Sequence, residues 1–219
     1  MLAVEALKVA IQQTTILHGV DLGIPSNSIA GLIGRNGAGK TTLMRSLMGL
    51  IRISSGRILF EGDDLAAADA FRRARRGIGY MPEDRRLIPD LTVEENVLLP
   101  AWAIQLADTR QRLEFIYQRM PEVAGFAKRR ADQLSGGQQK LVALARALMS
   151  GSRLLLLDEP FEGVAPALAR RLVEVVDGLR GSGVSVLLSE SDYTHSAEII
   201  DKLFVIERGV VSERPVIQE

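Results

Sequence analysis

The sequence has 219 residues, of which 47% are hydrophobic, so a sizeable core can be buried. It carries 27 basic and 27 acidic residues, and this balance gives no indication of nucleic-acid binding. The chain has no cysteine, which excludes disulfides, thiolate metal sites and cysteine nucleophiles. Residues 1–11 lack the basic-then-apolar layout of a signal peptide. No apolar run approaches the roughly 18 residues that a membrane span needs.

The first 82 residues have the pattern of several strands with two helices among them. Apolar residues at helical spacing predict helices over 41–50 and 66–76. A polar turn is expected over 61–63. β-Rich runs between turn signals predict strands over 6–11, 16–24, 28–33, 56–60 and 77–81.

Helical patterns dominate from residue 83 to about 150, and strands return after that. Helices are predicted over 93–106, 109–120 and 138–149, with prolines between them. Strands at 153–157 and 184–189 flank a helix over 167–180, which suits a parallel sheet. We therefore predict one α/β domain over 1–219. Its α/β lobe, 1–82 and 151–219, is interrupted by a helical insertion over 83–150.

The segment GRNGAGKT at 34–41 fits G-x-x-x-x-G-K-[ST] in full. Glycines let backbone N–H groups curl around phosphate oxygens, and the following helix N-terminus favours anions. Lys40 supplies a cation for the terminal phosphates, and Thr41 offers a hydroxyl to Mg²⁺. A Gly-rich turn before a helix is the plainer alternative. The residues expected to hold the nucleotide are Gly34, Arg35, Asn36, Gly37, Ala38, Gly39, Lys40, Thr41 and Thr42.

A run of four leucines ends in Asp158 and Glu159. Ligands of parallel sheets bind beyond the carboxyl ends of the strands. Asp158 is therefore expected to meet Mg²⁺, and Glu159 to act as the base or to orient the attacking water. The alternative is an acidic turn after a core strand, which the neighbouring phosphate loop makes less attractive.

A second candidate anion site, LSGGQQK at 134–140, precedes the acidic strand. It resembles the signature of ATP-binding-cassette (ABC) ATPases, although Ser135 could simply cap a helix. The segment EGVAP at 162–166 looks like that family's D-loop, and YMPE at 80–83 lies where its Q-loop begins. The resemblance covers essentially the whole chain. Within the superfamily, it is strongest to the smaller ATPase of branched-chain amino-acid uptake systems.

The resemblance implies a P-loop NTPase (RecA-like) lobe with an N-terminal antiparallel β subdomain and a helical insertion that carries the signature. It implies an ATPase that uses ATP and Mg²⁺, with Ser135 and Gly137 closing over ATP held by another subunit. The implied partners are transmembrane permease subunits, a second identical or different ATPase subunit and, indirectly, an extracytoplasmic substrate-binding protein. Its expected place is the cytoplasmic face of the inner membrane.

Three departures from the family pattern bear on catalysis. Glu83 stands where the Q-loop usually has Gln; we expect it near the reaction centre and as a candidate Mg²⁺ ligand. Ser191 stands at the switch position, which is often His, and His195 is a poor substitute for that group. No aromatic residue precedes Phe60, so Ile11 is expected to offer adenine an apolar contact only, and adenine binding is expected to be weaker or less base-specific.

Two other readings compete with a transport ATPase. One is a soluble cassette protein of ribosomes or DNA repair, and the other is a nucleotide sensor with little turnover. Clusters of arginine near 72–76, 85–86 and 128–130 fit a solvated face, or docking to a permease or lipid headgroups. Trp102, the only tryptophan, is expected in the core, with a permease contact as the alternative.

Overall fold

The computed structural model describes residues 1–192 and 194–216. Over these residues the chain forms strands and helices that alternate through most of its length, with a helix-rich segment in the middle. The strands are β1 Leu2–Ile11, β2 Thr14–Ile24, β3 Ile29–Ile33, β4 Ser55–Phe60, β5 Asp63–Asp64, β6 Ile78–Met81, β7 Leu154–Asp158, β8 Ser185–Glu190, β9 Lys202–Glu207 and β10 Val210–Arg214. The α-helices are α1 Lys40–Leu47, α2 Ala70–Arg75, α3 Val93–Ile104, α4 Thr109–Arg119, α5 Pro121–Gly125, α6 Gly136–Ser150 and α7 Pro166–Asp177.

The described strands make two sheets. An antiparallel sheet has the order β2-β1-β4-β5, and a six-stranded sheet has the order β10-β9-β3-β8-β7-β6. In the larger sheet all neighbours are parallel except the edge pair β9–β10. Strands β3, β7 and β8 are buried along their whole length, as expected for parallel strands covered on both faces.

The larger sheet separates two apolar clusters. Because side chains alternate across a strand, Leu155 and Leu157 of β7 pack in the cluster with α3, α6 and α7. Leu154 and Leu156 pack in the other cluster, with α1 and the antiparallel sheet. Strands β3 and β7 lie on either side of β8 and run parallel to it, so the carboxyl ends of the three strands lie at one edge of the sheet.

The helix-rich segment lies between β6 and β7 and is anchored by α6, which packs against α3. Its first helix is fixed by Thr92, whose hydroxyl accepts the Glu95 N–H while the Glu95 carboxylate accepts the Thr92 N–H. The buried amide of Asn96 hydrogen-bonds the backbone of Ile88 in both directions. These bonds order the loop that follows β6.

The predicted fold class is confirmed: the chain is α/β, with an antiparallel and a mostly parallel sheet. Several local predictions were wrong. The turn predicted over 61–63 does not include Asp63, which pairs with Phe60 in the short strand β5. Strands β9 and β10 were not predicted. Trp102 is 53% exposed and therefore lies outside the core. In the part of the chain that the structure describes, no helix is both long enough and apolar enough to cross a membrane.

Candidate active site

The loop of residues 34–39 joins the end of β3 to the start of α1. A Cβ at Gly34 would overlap the Ile206 carbonyl, so the loop can lie against β9 only with glycine there. Gly39 is the N-cap of α1 and has φ 112°, which L side chains rarely adopt. Arg35, Asn36 and Gly37 are exposed, and their backbone is therefore accessible to a ligand.

Lys40 is buried under this loop. Its ammonium donates to the Gly34 carbonyl and, at 3.3 Å, to the Arg35 carbonyl. The same Nζ lies 3.0 Å from Oε1 of Glu159. The cation predicted to bind phosphate and the acid predicted to aid hydrolysis thus form a buried ion pair with each other.

Asp158 ends β7 and is fully buried. Its Oδ1 accepts from Ser189 at 2.8 Å and from Thr41 at 3.2 Å, while its Oδ2 accepts from Tyr80 at 3.2 Å. Burial raises the pKa of Asp158, and these three hydrogen bonds oppose the rise. Burial, followed by the Asp158 charge, raises the pKa of Tyr80, which keeps its phenol protonated as a donor.

The oxygens of Thr41 and Asp158 fit the predicted Mg²⁺ site. A hydroxyl and a carboxylate are hard oxygen ligands, and Mg²⁺ usually takes one or two protein groups together with phosphate oxygens and water. Among residues 1–192 and 194–216, no group of three or more His, Cys, Asp or Glu side chains could hold a metal by itself. A cation shared between these two side chains and a nucleotide agrees with that finding.

Glu159 is held from several directions. Its φ is 49°, an uncommon value for a residue with a side chain. Its N–H donates to the carbonyl and to the hydroxyl oxygen of Ser189, at 3.1 and 3.2 Å. Its carboxylate is only 7% exposed and contacts Lys40 and Ser191. The structure therefore brings the side chains of Lys40, Glu159 and Ser191 together.

Ser191 lies between the phosphate loop and Glu159. Its Oγ is 3.0 Å from Oδ1 of Asn36 and 3.1 Å from Oε1 of Glu159. A hydroxyl has one proton and can donate to only one of these oxygens at a time. His195 instead packs its ring against Phe161, with centroids 5.8 Å apart. Of these two residues, Ser191 contacts the Glu159 carboxylate, and its role as the switch residue stays a prediction.

Glu190, next to Ser191, is a buried acid that sequence reasoning missed. Its carboxylate accepts from the Ser196 hydroxyl, and its backbone carbonyl accepts the Gly34 N–H at 3.1 Å. Burial first, and then the Glu159 and Asp192 charges, raise the pKa of Glu190 to about 8. At neutral pH the side chain is therefore mostly protonated and adds little negative charge beside the phosphate loop.

Glu83 lies at the meeting point of two cavities. One cavity, of about 490 Å³, is also lined by Thr41, Tyr80 and Asp158. The other cavity, of about 210 Å³, is also lined by Gly137. Glu83 is an exposed residue. The partial burial of its carboxyl group nevertheless raises its pKa, and the Glu162 charge adds to the rise. Over the described residues it makes no hydrogen bond to Thr41 or Asp158, so its role as a metal ligand stays a prediction.

The signature residues lie at the N-terminus of α6. The Ser135 hydroxyl accepts the Gln138 N–H at 3.3 Å, and the Gln138 side chain accepts the Ser135 N–H at 3.0 Å. Ser135 therefore caps α6, as the plainer reading of its sequence proposed. A Cβ at Gly137 would lie 2.6 Å from Leu168 Cδ2. Within the described residues, no hydrogen bond joins Ser135 or Gly137 to the loop of residues 34–41, and their role in contacting ATP stays a prediction.

Three residues that support the site were not predicted. Tyr80 and Ser189 lie at the ends of β6 and β8, the neighbours of β7, and donate to Asp158. Lys140, on α6, donates to the carbonyls of Glu159 and Glu162. The only sequence signal for Lys140 was its position inside the second motif in a chain with just five lysines.

A family model described as ABC transporter matches residues 17–162. The branched-chain amino-acid transport ATP-binding protein BraG of Pseudomonas aeruginosa is 34% identical, covering 95% of this chain and 90% of BraG. The lipopolysaccharide export ATP-binding protein LptB of Haemophilus influenzae is 31% identical, covering 96% of this chain and 87% of LptB. A solved nucleotide-free ATP-binding cassette from an ABC transporter is 26% identical, with a TM-score of 0.87, covering 99% of this chain and 92% of that chain.

The fold and the phosphate loop define a P-loop NTPase. More particularly, the chain belongs to the ABC transporter family and is an ATP-binding ATPase subunit.

Proposed function

We propose that this chain is the ATP-hydrolysing subunit of a membrane importer, and that it couples ATP-driven dimer closure to the transport of branched-chain or related amino acids. The observation that carries the hydrolytic part is the buried Lys40–Glu159 ion pair, which the hydroxyl of the exposed Ser191 contacts, beside the Asp158–Thr41 pair. The uptake part is supported by the relationship to BraG over nearly the full length of both chains.

Each of these residues has a distinct proposed role. Lys40 is already desolvated, so exchange of its Glu159 partner for a terminal phosphate keeps the ammonium paired. That exchange frees the Glu159 carboxylate to accept a proton from, or orient, the attacking water. The Ser191 hydroxyl, which lies between Asn36 and Glu159, would keep the Glu159 carboxylate in position. Thr41 and Asp158 would hold Mg²⁺, which neutralises phosphate charge when bound.

The proposed assembly places the chain at the cytoplasmic face of the membrane. Its partners are transmembrane permease subunits and a second ATPase subunit, and an extracytoplasmic binding protein acts indirectly. The exposed apolar side chains include Leu50, Phe71 and Trp102, which are available for contact with a permease.

Lipopolysaccharide export is the second candidate, because LptB matches at 31% identity over similar lengths. Neither candidate is favoured by the site, since the transported molecule does not reach an ATPase subunit. BraG and LptB are both transport proteins, so they lend no support to a soluble cassette of ribosomes or DNA repair. The low-turnover sensor is distinguished only by measuring hydrolysis.

The experiment is to purify the tagged chain with its membrane partners and reconstitute the complex in proteoliposomes. Under the importer proposal, leucine with its binding protein stimulates ATP hydrolysis, and labelled leucine accumulates inside. Glu159→Gln in the same complex is expected to lower both by about 10²–10⁴-fold. Stimulation by lipopolysaccharide, without leucine uptake, would assign the chain to export. A parent complex that binds ATP without turnover would favour the sensor.

A further inference from the structure

Lys140 is a buried cation that the roles assigned above do not use. It lies on α6, five positions after the Ser135 cap, and is 5% exposed. Its ammonium donates one hydrogen bond to the Glu159 carbonyl, at 2.8 Å, and another to the Glu162 carbonyl, at 2.6 Å. Two short charge-assisted hydrogen bonds therefore join the signature helix to the loop that follows β7.

This ammonium is surrounded by acids. It lines the cavity of about 210 Å³ together with Glu83 and Glu162. Burial lowers the pKa of Lys140 and the Arg85 charge adds to that change, whereas the carboxylates of Glu162, Glu159 and Glu83 oppose it. The acids thus offset part of the cost of burying the charge. Removal of the ammonium would take a nearby cation away from Glu83 and Glu162, whereas Glu159 keeps its ion pair with Lys40.

The backbone of Glu159 depends on such contacts. Its left-handed φ of 49° is a conformation that costs about 1–3 kcal/mol and persists only where the surroundings enforce it. On one side its N–H is fixed by Ser189. On the other, its carbonyl accepts from Lys140 and, at 3.3 Å, from the Glu162 N–H. Lys140 is the only side chain among the described residues that hydrogen-bonds this carbonyl.

The same helix also holds the loop that carries Glu83. Arg146 of α6 donates to the carbonyls of Arg85 and Arg86, and Arg85 donates to the Gly136 carbonyl at 3.0 Å. The loop after β6 and the loop after β7 are thus both attached to α6, the helix that Ser135 caps. A displacement of α6 would be transmitted to Glu159 through Lys140.

We propose that Lys140 is a positioning residue for hydrolysis: it sets the backbone of Glu159 and of the loop at 159–163, and so links the signature helix to the hydrolysing carboxylate of the same chain. The inference rests on the proposed role of Glu159. It predicts a loss in turnover, not in ATP affinity, when the ammonium is removed.

The first test compares Lys140→Met with the parent chain. A displacement of about 1 Å in a catalytic group can cost about 10²-fold in rate. We therefore expect kcat to fall about 10²-fold, with KM and the affinity for labelled ATP nearly unchanged. The fall should vanish when Lys140→Met is made in a Glu159→Gln background, because the group that Lys140 positions is then already inactive.

The second test uses the absence of cysteine from the chain. Lys140→Cys introduces a single thiol, which 2-bromoethylamine converts in the unfolded chain to a near-isostere of lysine before refolding. Iodoacetamide gives a matched neutral adduct. Lys128→Cys, at an exposed position, receives both treatments as the control. We expect the aminoethyl adduct at position 140 to raise kcat at least tenfold above that of the unmodified Lys140→Cys chain. The neutral adduct should not raise it.

The outcomes separate the inference from the proposed function. A loss that is equal in the parent and Glu159→Gln backgrounds, or that the neutral adduct repairs as well, overturns the positioning role. So does a Lys140→Met chain that is fully folded and retains parental kcat. If Glu159→Gln itself leaves turnover unchanged, the assignment of Glu159 fails independently of Lys140.

Discussion

At the residue scale, Glu190 is the side chain whose ionisation should affect stability most clearly. Its pKa in the folded chain is about 8, above the ordinary carboxyl value of 4.5. Between those two pH values the folded state holds a proton that the unfolded chain has released. Stability therefore falls as pH rises through this window, by about 1.4 kcal/mol for each pH unit that separates the folded and unfolded pKa values.

Glu190→Gln should remove this pH dependence, because the amide keeps a polar group for Ser196 without ionising. Urea unfolding of parent and variant at pH 5, 7 and 8.5 measures it. We expect the variant to gain stability relative to the parent as pH rises, with the largest difference at pH 8.5. Parallel stability profiles for the two chains would show that Glu190 titrates normally.

Ser191 is expected to influence turnover through Glu159. Ser191→Ala removes a hydrogen bond to a carboxylate, an interaction worth about 1.5–3 kcal/mol, so kcat should fall by about tenfold or more. Ser191→Thr retains the hydroxyl and is the matched control. Ser191→His should raise kcat if an imidazole can reach the transferring phosphoryl group. Steady-state ATPase assays measure kcat for each variant. Equal rates for Ser191→Ala and Ser191→Thr would show that this hydroxyl has no part in the mechanism.

At the scale of elements, α6 connects the site to the helix-rich segment. The guanidinium of Arg146 donates to the carbonyls of Arg85 and Arg86, both of which have positive φ. Arg146→Met leaves these carbonyls without their donor, and such a loss costs about 1–3 kcal/mol. Amide exchange over residues 83–87 should accelerate, as measured by hydrogen–deuterium exchange and mass spectrometry.

Arg110→Met is the control for this prediction, because Arg110 is 92% exposed and pairs only with Glu114 among the residues that the structure describes. Substitutions of this kind usually change stability by less than about 0.5 kcal/mol. Exchange over 83–87 should therefore match the parent. If Arg146→Met and Arg110→Met behave alike, the loop after β6 is held by other contacts.

The elements that local pattern could predict are those with strong periodicity. Helix α6 and strand β7 were recognised because their apolar spacing is unambiguous. Strand β9, next to the edge strand β10, mixes buried and partly exposed residues, and β5 has only two residues, so neither carries a clear period. Trp102 was expected in the core because apolar content cannot show which side of α3 faces solvent.

The site was predictable where a motif specifies both residue type and position. Thr41 and Asp158 belong to two such motifs, and parallel-sheet topology explains why they meet. Tyr80, Ser189 and Lys140 come from three other elements, and only the order of strands and the packing of α6 bring them to the site. Long-range contacts of this kind leave no local pattern in one sequence.

At the scale of the whole molecule, one chain supplies the parts of a site on two separate surfaces. The phosphate loop with Lys40 is on one, and on the other Gly137, which follows the Ser135 cap of α6, borders the cavity of about 210 Å³. We propose that these surfaces meet across a two-fold dimer, so that each ATP lies between the loop of one chain and the signature of the other. A two-fold arrangement uses each surface twice and leaves neither unpaired.

A mixture of two inactive variants tests this arrangement. Lys40→Ala removes the phosphate-binding cation, and Ser135→Arg blocks the signature surface, so each homodimer has two defective sites. A mixed dimer has one site in which both defects coincide and one site that is intact. At a one-to-one ratio, random pairing gives about a quarter of the parental number of intact sites, and ATPase activity should return to about that fraction.

The design separates trans assembly from residual activity of either variant. Each variant alone supplies the baseline, and a single chain carrying both substitutions, mixed with Lys40→Ala, provides the matched control, because no pairing of those two restores an intact phosphate loop. Recovered activity should also depend on total protein concentration, since it requires association. If the mixture stays at the baseline of its components while parent chain at the same concentration hydrolyses ATP, Ser135 does not act on a neighbour's nucleotide. Activity equal to that of the control mixture would lead to the same conclusion.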